Sequence, residues 1–230
     1  EGGEGGGEEA QVTAHNGAAA SPLVNVLDIA IAVIDAKRAS GATQSMQAFL
    51  ALESIEPPSA RSAPPEALEG CLEFLDELVR FLELEGDLSV QHATWGTMAP
   101  PLGLKRVKVV DLLATLVSSR SDAVAAAVMK CGALPVCFAL FARYPYNNFL
   151  HHHVESMVMS ILDWGHAGLV QHLLAPVAGG GCDLIGVVTG AAQMVDTVRG
   201  PMRAGNLGHV TRMGNKLVGV SAAAAAAATG

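Results

Sequence analysis

Apolar side chains recur along this chain at the three-to-four-residue spacing of α-helices, in blocks separated by glycine and proline. Residues 23–38 place Leu23, Val26, Leu27, Ala30 and Ile34 on one face, and Ser40-Gly41 ends the block. A weaker period covers residues 45–55, followed by a loop bracketed by Pro57-Pro58 and Pro64-Pro65. Leu68, Cys71, Leu72, Leu75, Leu78, Val79 and Leu82 then share one face, with Glu69, Glu73, Asp76 and Glu77 between them, which predicts the clearest amphipathic helix of the chain. A long connection over residues 86–102 contains Trp95 and Pro100-Pro101.

From Gly103 onward the pattern changes. Leu104, Val107, Val110, Leu112, Leu113, Leu116 and Val117 cover most of a helix's circumference and leave a polar stripe of Lys108, Asp111 and Thr115. A helix of that kind is sandwiched between neighbours. Residues 122–130 predict a short helix, and Gly132-Ala133-Leu134-Pro135 opens another through Phe138 and Phe141. Gly132 can end the first, and Pro135 fits the first turn of the second. Asn147 or Asn148 caps a further helix carrying Leu150, Val154, Met157, Val158, Ile161 and Leu162 on one side. Helix, tight Gly/Pro turn, helix, repeated, is the rhythm of armadillo-like repeats of about 40 residues. The expected fold is therefore an all-α, armadillo- or HEAT-like solenoid over residues 21–220, between a Gly/Glu-rich segment at 1–20 and an Ala-rich tail at 221–230, both ends frayed. No exact repeat is visible, and a compact helical bundle is the alternative.

Composition narrows the chemistry. Aromatics make up only 4% of the 230 residues, so the chain is poor in strand formers, while Ala, Leu and Glu favour helices. A net charge of −8 with 14 Lys and Arg argues against a nucleic-acid surface. Cys71, Cys131, Cys137 and Cys182 lie far apart with no CxxC pair, as reduced thiols of a cytoplasmic or nuclear protein do. Residues 123–142 approach the length of a membrane span, but Lys130, Gly132 and Pro135 interrupt them. The chain begins at Glu1 with no initiator Met and no basic-then-apolar leader, which is expected of a fragment.

Three motifs in one order resemble a known family. Tyr144-Pro145-Tyr146-Asn147-Asn148-Phe149-Leu150-His151, followed by Val154-Glu155, resembles the YPWNNFLH signature of the SAPS-domain family, the regulatory subunits of protein phosphatase 6-like serine/threonine phosphatases. Pro100-Pro101-Leu102-Gly103 with Arg106 and Val109-Val110 resembles that family's entry into a helix, and Arg203, Gly205, Gly208-His209, Thr211 and Asn215 resemble its RxGxxGHxTxxxN segment. The departures are Tyr146 for Trp, His152-His153 for Asn-Gln, Asn206 for Tyr, and the Gly179-Gly180-Gly181 run. The resemblance implies a non-catalytic scaffold that grips a phosphatase catalytic subunit, meets phosphoprotein substrates through it, and needs no cofactor, nucleic acid or membrane. An armadillo-type adaptor for another protein is the alternative, because fold does not fix function.

Candidate partner-binding residues are accordingly Tyr144, Pro145, Tyr146, Asn147, Asn148, Phe149, His151, Gly208, His209, Thr211 and Asn215. Two roles are open to them. The tyrosine rings can fill a groove between repeats while the asparagines satisfy free backbone N–H groups, or the aromatic and amide groups can form an exposed hot spot. For His209 and Thr211 the first role means a cap and a buried hydrogen bond. His151-His152-His153 does not suit a metal, since consecutive helical residues point about 100° apart. Gly179-Gly180-Gly181 lacks the strand before and the Gly-Lys-Ser/Thr after that a phosphate loop needs, and Ser160 and Asp163 have no nucleophile-elbow context. No catalytic residue and no metal ligand is expected.

Overall fold

The computed structural model describes residues 21–35, 63–84, 91–93, 96–98, 101–190, 195–196, 202–203 and 205–229. These form an all-α fold of ten α-helices with two short hairpins: α1 (Pro22–Ile34), α2 (Pro65–Glu73), α3 (Leu75–Glu83), β1 (Gln91–Ala93), β2 (Gly96–Met98), α4 (Leu104–Ser118), α5 (Asp122–Lys130), α6 (Ala133–Arg143), α7 (Asn148–Trp164), α8 (Ala167–Leu174), α9 (Leu184–Gly190), β3 (Val195–Asp196), β4 (Met202–Arg203) and α10 (Leu207–Thr229). Each hairpin is a lone antiparallel pair, Gln91 facing Met98 in one and Val195 facing Arg203 in the other.

Helices three apart along the chain stack on one another through most of the fold. α1 packs on α4, α4 on α7 and α7 on α10, while α2, α5 and α8 follow one another in a second layer, with α3 against α6 and α9 against α10. This is the stack of a repeat with three helices per unit. The uniformly apolar α4 and the cap-started α7 sit at its centre, where Val109, Val110, Leu116, Leu150, Val154, Val158 and Ile161 have no exposed surface. Each such side chain contributes about 1.5–3 kcal/mol over its exposed state. A single buried cluster runs from Leu27 to Met213. Gly132 adopts φ +67 between α5 and α6, with Pro135 in the first turn that follows.

Several expectations need correcting. α1 buries Val24, Leu27, Ile31 and Ile34, whereas Val26 is 62% exposed. Only Asn25 and Asp28 break its apolar run, so periodicity alone could not orient it; the Asp28–Lys108 ion pair to α4, 2.7 Å, marks the side that faces the row. The single amphipathic helix expected around Leu68–Leu82 is two, divided at Phe74. That break lets α2 pack on α1 and α5 while α3 packs on α4 and α6. The connection over 86–102 contains the first hairpin, and buried Arg106 donates from Nη2 to the Leu84 carbonyl, tying α4 to the end of α3. The alanine tract expected to fray continues α10 as exposed helix, as the best helix former allows. Residues 1–20 and the helix expected at 45–55 lie outside the described residues.

No described helix is long and apolar enough to cross a membrane. α5 and α6, apolar when taken together, meet at a 64° bend.

Candidate functional site

The connection from α6 to α7 is tight. Tyr144 ends α6, its carbonyl accepts from the Asn147 N–H at 3.1 Å, and Asn147 then caps α7 by accepting the Leu150 N–H on Oδ1 at 3.0 Å. One turn into α7, His151 folds back and its Nε2–H donates to the Tyr144 carbonyl at 2.8 Å. Its ring meets Phe141 edge-on, 4.9 Å between centroids. Burial lowers the His151 pKa to about 4; the hydrogen bond to Tyr144 opposes that shift and neighbouring His209 adds to it.

The start of α10 locks against this connection. Gly205 approaches so closely that a Cβ there would lie 2.8 Å from the Pro145 carbonyl oxygen, and Asn206 Nδ2 donates to the Phe141 carbonyl at 3.3 Å. His209, buried, spans the gap: Nδ1 lies 2.5 Å from Glu155 Oε2 and Nε2 2.9 Å from Asn148 Oδ1. Arg212 donates to the same Glu155 oxygen at 2.6 Å, and Lys216 pairs with Asp163 further along. Glu155 is therefore a buried carboxylate held by two donors from α10, an arrangement that is costly to break from one side. On the other flank of α7, His153 lies 3.3 Å from Asp111 of α4, and Lys108 spans Asp111 at 3.6 Å and Asp28 of α1. Polar links thus run through the row from α1 to α10.

The eleven candidates divide by environment. His151 and His209 are buried and spent on internal hydrogen bonds. Asn147 is the cap; Tyr144, Pro145 and Tyr146 are half-buried, with Tyr144 packed on the core. Asn148, Phe149, Gly208, Thr211 and Asn215 face solvent, Phe149 at 75% exposure. Thr211 is not buried as expected: its hydroxyl donates to the Leu207 carbonyl on the surface of α10. Asn148 does not satisfy a helix N–H as supposed but receives His209. Glu155, Arg212 and Asn206 complete the junction although none was among the eleven candidates, since the partners of Arg212 and Asn206 stand 57 and 65 residues away in sequence.

His151, His152 and His153 enter three environments, respectively buried, exposed and facing Asp111. Among the described residues no group of three His, Cys, Asp or Glu side chains could hold a metal ion. His166 caps α8 by accepting the Leu169 N–H on Nδ1. All four cysteines are free thiols; burial pushes Cys137 up and Cys182 up to about 12, which leaves both unreactive. Val177–Gly179 is a short 3₁₀ turn, and Gly180 follows it at φ +79.

Fold and junction together define an α-helical repeat protein whose polar side chains hold neighbouring helices in register around a solvent-facing corner. The sequence profile of the SIT4 phosphatase-associated protein family (SAPS) matches residues 10–130 and 121–229, and the chain belongs to that family. Among its relatives, serine/threonine-protein phosphatase 6 regulatory subunit 1 of Mus musculus is 32% identical over 157 residues, covering 63% of this chain and 18% of that protein. Regulatory subunit 3 of Gallus gallus is 27% identical over 220 residues, covering 86% and 24%. The human regulatory subunit 1 is 33% identical over 138 residues, covering 54% and 15%. The chain thus spans at most about a quarter of the length of these curated relatives. No solved structure matches it.

Proposed function

We propose that this chain is the helical-repeat part of a regulatory subunit that binds a protein phosphatase 6-like catalytic subunit and directs it to phosphoprotein substrates, itself without catalytic activity. The observation that carries this reading is the family match, which extends from residue 10 to residue 229 and joins the chain to relatives named as phosphatase 6 regulatory subunits. The geometry supports it. A repeat stack offers a rigid, extended binding surface, and the α6–α7–α10 junction presents aromatic and amide groups on a locked backbone. The work needs neither cofactor, nucleic acid nor membrane, and suits the cytoplasm or nucleus.

The test is capture of a purified phosphatase 6-type catalytic subunit by the immobilised chain, with Tyr146→Ala and Asn148→Ala read by both binding and thermal unfolding. Saturable capture at micromolar concentration or below is expected. A contact residue weakens binding while the melting temperature holds; a residue that only supports the junction lowers the melting temperature first. Failure of both the chain and its full-length parent to capture the catalytic subunit would sink the reading.

A further inference from the structure

Resting on that reading, we infer that Phe149 is the anchor of the interface and that it enters an apolar pocket rimmed by carboxylates on the catalytic subunit. A single exposed apolar residue is ordinary on a protein surface. Phe149 differs in how it is held. Its neighbours are fixed on both sides: Asn147 caps the helix, Asn148 is pinned by His209, and Leu150 and His151 are buried to 0% and 1% exposure. A ring 75% exposed on so constrained a backbone loses little freedom on docking, and buried aromatic anchors of this kind dominate binding energy at interfaces.

The charge pattern specifies the rim. The chain is acidic, yet no Asp or Glu occurs between Asp122 and Glu155, and none follows Asp196. Folding brings these two carboxylate-poor stretches together where α10 meets the α6–α7 connection. On α6, α7 and α10 the only carboxylates are Glu155 and Asp163, the first held by His209 and Arg212 and the second by Lys216. With Glu155 balanced by Arg212 and Asp163 by Lys216, the positive charge of Arg143, exposed beside the Tyr144 ring at the end of α6, is left uncompensated on these three helices. The acidic side chains gather instead on α2 and α3, at Glu66, Glu69, Glu73, Asp76, Glu77 and Glu83. Phe149 therefore projects from a locally cationic corner of an acidic protein, and an acidic rim on the partner both attracts that corner and rejects the α2–α3 face.

Association and dissociation rates for the catalytic subunit, measured across a salt series with melting temperatures alongside, test this. Phe149→Ala is expected to weaken binding about 30-fold, mostly through faster dissociation, with an unchanged melting temperature. Arg143→Glu is expected to slow association about tenfold at low salt and to flatten the salt dependence of the on-rate. Wild-type capture with Phe149→Ala binding within about twofold of it, or a melting temperature lowered by more than about 3 °C, would overturn the anchor and leave the proposed function standing. An on-rate that rises with salt would overturn the acidic rim. If neither the wild-type chain nor its full-length parent captures the catalytic subunit, both the anchor and the proposed function fall.

Discussion

His151 and His209, for which an internal and a partner-facing role were both open, serve as internal fittings of the junction. Their ring centroids lie 5.4 Å apart, and each spends its hydrogen bonds on holding chain to chain. His151 has a pH signature. Its folded pKa, about 4, lies below the usual 6.5, so between these values the unfolded chain carries a proton that the folded chain excludes. Stability therefore falls as pH drops through that window and is flat with respect to His151 above it. His151→Gln, which keeps a donor for the Tyr144 carbonyl and cannot titrate, is expected to shallow the slope of unfolding free energy against pH between about 4 and 6.5 in urea titrations. At the neighbouring cap, Asn147→Ala removes the acceptor of the Leu150 N–H and is expected to cost about 1 kcal/mol, read in the same titrations. At this scale the sequence was half legible. An Asn before an apolar period announces a cap, but nothing local to Glu155 points to His209 or Arg212, 54 and 57 residues on.

Elements were legible where composition was unequal around the helix and obscure where it was not. α7 buries every residue of its expected face, while α1, apolar on nearly all sides, takes its orientation from its neighbour in the row. The break at Phe74 was hidden because α2 and α3 continue one apolar stripe and separate only to reach different neighbours. Two glycines of α10's start separate packing from propensity. Gly205→Ala drives a Cβ toward the Pro145 carbonyl and is expected to cost about 1–3 kcal/mol, whereas Gly208 has open space around it, and Gly208→Ala is expected to gain up to about 1 kcal/mol. Differential scanning calorimetry of the two variants should show melting temperatures moving in opposite directions.

For the whole molecule, the rhythm of short helix, Gly/Pro turn, longer helix, cap and longer helix was enough for an all-α repeat fold; which helices stack in one row was not legible, since that lives in the packing of α1, α4, α7 and α10 and in no repeated sequence. Because one buried cluster joins these rows, thermal unfolding followed by far-ultraviolet circular dichroism and by tryptophan fluorescence is expected to give one coincident transition. Two separated transitions would mean that the rows melt independently.

The paired links between α7 and α10 have a consequence for how sequences of this kind can change in length. Glu155–His209 and Asp163–Lys216 sit about two helical turns apart on the same pair of helices, so they act like two notches of one key. A residue inserted in α7 between them turns one notch by about 100° relative to the other, and both can no longer engage at once. Insertions and deletions are therefore expected to be excluded from 156–162 and 210–215, whatever residues occupy those positions.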